Sequence, residues 1–97
     1  MNPTICQAIN EQRLLRLYYD PGLRTVEPHA HGESRGGNDL LRAFQTSGAS
    51  ASGEHVNWKL FRLDRITSLE LLEETFPGSR PEYRRNDKAI ALIYCQL

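Results

Sequence analysis

Ninety-seven residues suffice for one small domain with a modest core. Twelve Lys and Arg balance twelve Asp and Glu, with 25% charged and 39% hydrophobic residues. That balance excludes a grossly basic nucleic-acid coat protein and leaves room only for a local basic patch. No apolar run approaches the roughly 20 residues of a membrane span, so no membrane partner is expected.

The elements follow in chain order. Pro3 suits a first helical turn, and Ile5, Ala8, Ile9 and Leu14 recur at helical spacing, so Thr4 to Gln12 reads as a helix. The period then changes to two: Leu15, Leu17 and Tyr19 share one face of a strand. Asp20-Pro21-Gly22 is a turn by residue type. Arg24 to Ala30 is a second strand, which Pro28 places at a sheet edge or bulge. His31 to Asn38 reads as a polar loop. Leu40 to Thr46 is a third strand, with Leu41 and Ala43 on one face and Leu40, Arg42 and Phe44 on the other.

Ser47 to Gly53 is a small, flexible connection. Val56 to Leu63 is a fourth strand and Ile66 to Glu73 a fifth. Opposite parity of Phe61 and Ile66 requires a bulge or bend near Asp64-Arg65 if both face one core. Phe76 to Asn86 carries Pro77, Gly78, Pro81 and several arginines and reads as an irregular surface arm. Lys88 to Leu97 fits helix or strand, and its alternation leans it to strand. The fold class is therefore mainly β with an N-terminal helix, a small barrel or strongly bent sheet of about five antiparallel strands. Residues 1–75 hold the helix and barrel; 76–97 are an arm and terminal strand of the same domain.

Cys6 and Cys95 form no CxxC pair, and no secretory signal pattern is present. The expectation is two reduced thiols in the cytoplasm rather than a disulfide tying the ends together.

The segment Trp58-Lys59-Leu60-Phe61-Arg62-Leu63-Asp64-Arg65-Ile66 is the most informative. It sets three cations among five large apolar residues. Unpaired buried charge is costly, so these cations reach water, meet acids or await an anion. Together with Arg24-Thr25-Val26-Glu27-Pro28-His29-Ala30 and Leu40-Leu41-Arg42-Ala43-Phe44-Gln45, the segment resembles the WYL domain family, block by block and in order, across roughly residues 5 to 75. Asp39-Leu40-Leu41 stand where the family has Trp-Tyr-Leu, so only the last of the three is kept. The resemblance implies an Sm-like or SH3-like β-barrel with a leading helix. It also implies a regulatory or sensor module without the usual helix-turn-helix, binding single-stranded nucleic acid or a nucleotide-like anion. Roles in transcription regulation or phage defence, homodimerisation, and a regulatory or defence protein as partner follow from the same resemblance.

For such a ligand the candidate residues are Arg42, Lys59, Arg62 and Arg65 for charge, and His29 and Ser50 for orientation. Arg62 and Lys59 point to opposite strand faces unless the backbone is irregular. The other reading of these cations is pairing with acids in a protein-interaction or dimerisation module. His29-Ala30-His31 has a two-residue metal spacing, but a site needs three or four convergent ligands, so an edge strand entering a loop is the plainer reading. The arm sets Arg80, Arg84, Arg85 and Lys88 around Tyr83, a basic and aromatic mixture suited to nucleic acid or to a second subunit. No nucleophile, base or paired-carboxylate arrangement points to an enzyme, and no cofactor is expected.

Overall fold

The structure is a computed structural model describing all 97 residues. Helix α1 (Pro3–Glu11) is followed by strands β1 (Arg13–Tyr19), β2 (Gly22–Glu33), β3 (Asp39–Gly48) and β4 (Asn57–Arg62), a 3-10 turn at Leu63–Arg65, then β5 (Ser68–Thr75) and β6 (Leu92–Gln96). Asn2 caps α1 by accepting from the Ile5 N–H, with Pro3 at the first helical position. Gln12 ends the helix in a left-handed conformation, its N–H reaching the carbonyls of Ala8 and Ile9.

All strand pairs are antiparallel, in the order β4-β3-β2-β1-β5, with β6 added to β2. No ladder joins β4 to β5, so the sheet remains open. The bend expected near Asp64-Arg65 is the 3-10 turn, which carries the chain from one sheet end to the other.

β2 is the longest strand and the organising one. One of its edges pairs with β3 along most of its length. The other pairs with β1 through Val26 and with β6 from Ala30. Pro28 lies between those two partners, so its missing N–H costs no ladder bond. The register against β3 shifts between Pro28 and Ala30. This bulge places His29 and Ala30 on the same side and sends His31 to the other. The stretch His31 to Glu33, expected as loop, is strand because β3 and β6 flank it on both edges.

Two layers cover the sheet. α1 buries Ile5, Ala8 and Ile9 against Leu15, Leu17, Val26, Leu41, Ala43 and Phe61. The parity read from the sequence holds: Leu41 and Ala43 face this core. On the opposite face lies a strap, residues 76–91, the irregular segment between β5 and β6. It covers Ala30 and Leu40 with Ile90 and packs Tyr83 against Trp58 and His29.

The expectation of two reduced thiols is corrected. Cys6 and Cys95 form a disulfide, with Cα atoms 5.7 Å apart. α1 lies over the end of the sheet where β6 joins β2, so residues 89 apart in sequence meet in space. Sequence spacing carries no trace of that encounter.

Candidate functional site

The six residues singled out from the sequence do not gather into one patch. Lys59 and Ser50 do meet: Lys59 Nζ lies 3.0 Å from Ser50 Oγ and 3.3 Å from Ser52 Oγ. This cluster is on the helix side of β4, since Lys59 stands opposite the core residue Ala43. Arg62 is on the other side, as its alternation with Lys59 requires, and holds Asp64 at 2.7 Å and Asn38 at 3.2 Å. Arg65 is exposed on the 3-10 turn and takes part in no ion pair.

Arg42 projects toward the strap and meets Asp87, with Nε 2.6 Å from Oδ2 and Nη2 3.4 Å from Oδ1. Burial alone would raise the Asp87 pKa. Hydrogen bonds from Arg42 and from the Ala89 N–H outweigh it and hold the carboxyl below its usual range.

His29 is fully buried and both ring nitrogens are engaged. Nδ1 is 2.9 Å from the Glu27 carbonyl, and Nε2 accepts the Arg80 N–H at 3.1 Å. Those partners fix a neutral ring with the proton on Nδ1. The ring sits among Trp58, Phe76 and Tyr83. It therefore acts on the strap and has no free edge for a ligand. His31 repeats the arrangement on the helix face: Nδ1 is 2.8 Å from the Leu40 carbonyl, and Nε2 accepts the Asn2 N–H at 3.0 Å. Burial is the leading cause that lowers both pKa values. With the bulge between them, the two histidines diverge and do not converge on a metal.

A groove of about 620 Å³ lies between the strap and the outer face of β3 and β4. Its floor is Arg42, Asn57 and Trp58; its wall is the strap from Glu82 to Lys88. Trp58 and Tyr83 are nearly parallel, with planes 23° apart and centroids 6.1 Å apart. Burial raises the Tyr83 pKa, keeping its phenol protonated. Its hydroxyl donates toward the carbonyls of His29 and Leu97, which fixes the ring. Arg85 Nε is committed to the Leu97 carbonyl at 2.8 Å. Arg84 and Lys88 are exposed and belong to none of the ion pairs. The groove thus joins an ordered aromatic pair to two uncommitted cations, a combination that suits a flat, anionic molecule.

The strap that forms this wall is anchored by Arg80. Its guanidinium forks onto the buried Glu27 carboxylate at 2.7 and 3.1 Å and lies 4.2 Å from the Phe44 ring centroid. This bond raises the Arg80 pKa. The mixture of arginines around Tyr83 was legible in sequence; the joining of Trp58 to that arm was not. Periodicity places Trp58 on a strand face, but only the tertiary path of residues 76–91 brings Tyr83 over it.

No family model, curated protein or solved structure matches this chain. No helix is long and apolar enough to cross a membrane.

Proposed function

We propose that this protein is a non-enzymatic WYL-type module that binds a nucleic acid or nucleotide-like anion in the groove between strap and sheet. Under this reading the open sheet is a variant of the Sm-like or SH3-like barrel, with regulation or phage defence as its setting. The observation that carries the proposal is the groove itself: Trp58 and Tyr83 stacked beside the uncommitted Arg84 and Lys88. A base stacks on the aromatic pair, and its phosphate takes the two cations. Arg42 lends its charge only in part, because Asp87 already holds it.

The test uses AMP and a labelled octathymidylate. Saturable binding should quench Trp58, the only tryptophan. It should weaken with salt by about 0.7 log unit of affinity per log unit of salt for each single-strand phosphate contact. An Arg84→Ala/Lys88→Ala variant should lose most of that slope. Saturable binding that is indifferent to this double substitution refutes the site, and absence of binding by both probes refutes the function.

A second reading, a protein-interaction or dimerisation module, draws on the pairing of Arg42 with Asp87 and Arg62 with Asp64. It is favoured if neither probe binds and the protein sediments as a homodimer.

A further inference from the structure

The groove has an unusual dependence on one imidazole. All seven of its wall residues, Glu82 to Lys88, belong to the strap, and its three floor residues belong to the sheet. The groove exists only while the strap is docked. Near its start the strap is held by the buried Phe76, whose N–H reaches the Gln12 carbonyl, and then by Arg80, through the guanidinium on Glu27 and through the backbone N–H on His29 Nε2. Pro77 and Gly78 precede that anchor, and Gly78 adopts φ 145°, a conformation that L side chains rarely take.

We infer that His29 is a proton-sensitive latch that holds the strap closed only while its ring is neutral. The inference rests on the proposed binding reading for the groove's purpose, but its geometry is independent of any ligand. A proton on Nε2 turns the acceptor of the Arg80 N–H into a donor facing a donor. It also places a charge in a site enclosed by Trp58, Phe76 and Tyr83. The charged groups facing the ring are Glu27 from its own strand, which favours the proton, and Arg80 from the strap, which opposes it. Glu27 is already committed to the Arg80 fork, so it does not reach Nε2 without releasing the anchor.

The sign follows from burial, which depresses the folded-state pKa below the usual histidine value. The latch is fully engaged above the unfolded value of about 6.5 and is lost as pH falls below it toward the folded value. His31 makes the matching bond to Asn2 on the other face, so the helix end has its own histidine and serves as an internal control.

The experiment follows Trp58 emission and amide exchange of the full chain between about pH 7.5 and about pH 4.5, with exchange corrected for its intrinsic pH dependence. The expected result is a change in Trp58 emission below about pH 6.5. Over the same range protection of the Arg80 and Tyr83 amides should fall by at least about tenfold, while Leu41 and Ala43 on β3 stay protected. His29→Gln, which keeps an acceptor but does not titrate, should abolish the transition, and His31→Gln should leave it in place. If His29→Gln fails to fold, the wild-type exchange pattern decides alone. Three results overturn the latch: Arg80 protection unchanged down to about pH 4.5, loss of strap and β3 protection together, or a transition abolished by His31→Gln. Strap release with no binding of AMP or octathymidylate at any pH refutes the proposed function and leaves the latch standing.

Discussion

Opening the Cys6–Cys95 bridge should remove a large part of this domain's stability. The two residues are 89 apart in sequence, so the bridge closes a loop over nearly the whole chain. The chain-entropy relation gives about 4.6 kcal/mol of denatured-state restriction for a loop of that length. A domain of this size has a total stability of about 5–15 kcal/mol. The bridge therefore supplies a third or more of the total, and without it the protein sits near the edge of folding at 37 °C. The local structure adds to this. β6 is a five-residue strand paired only with β2 and packed on α1. Urea unfolding of the oxidised protein, the protein reduced by a phosphine, and a Cys6→Ser/Cys95→Ser variant should show a loss of about 3–5 kcal/mol, with a steeper denaturant dependence in the unbridged forms because their unfolded chains are more expanded. If mass spectrometry confirms the bridge and its removal costs less than about 1 kcal/mol, the entropic argument fails for this chain.

Phe61→Ala removes the largest fully buried side chain, which packs edge-on against Tyr19, and should cost about 3–5 kcal/mol in the same urea assay. Gly32→Ala drives a methyl group into the Leu92 carbonyl and Ile90 Cγ2, so it should cost at least about 1–3 kcal/mol and loosen β6; an unchanged denaturation midpoint would be the contrary result. Asp87→Asn removes the carboxylate that neutralises Arg42 within the groove, so AMP affinity by calorimetry should rise by about threefold to tenfold while stability falls by about 1 kcal/mol. Unchanged or weaker affinity would show that Arg42 takes no part.

The elements that could be read from residues are those whose signal is local. Ile5, Ala8 and Ile9 mark the helix because all three touch the sheet. Leu41 and Ala43 mark the core face of β3 because strand alternation survives intact there. Lys59 and Arg62 diverge for the same reason. What failed was set by partners distant in sequence. His31, Gly32 and Glu33 look like loop residues, yet two neighbouring strands hold them extended. The bulge at His29 reverses the parity that would have put both histidines on one side. Asp87 carried no sequence signal as a partner for Arg42, since 45 residues separate them and the strap between has no period.

The same strand explains why the two faces of this sheet behave differently. β2 meets α1 through His31 and the strap through His29, each ring donating to a carbonyl and accepting one backbone N–H from the segment it holds. On the helix face that bond is redundant, because α1 also buries Ile5, Ala8 and Ile9 and carries the disulfide. On the strap face it is not. Phe76 and Ile90 are the buried apolar residues of the strap, and the rest of its hold comes from polar bonds, among them those of Arg80, Tyr83, Arg85, Asn86, Asp87 and the Ala91 N–H. Local opening follows such differences in apolar burial. One histidine on each face, in chemically equivalent arrangements, thus acts on a rigid wall in one case and a releasable one in the other. The groove lies on the releasable side.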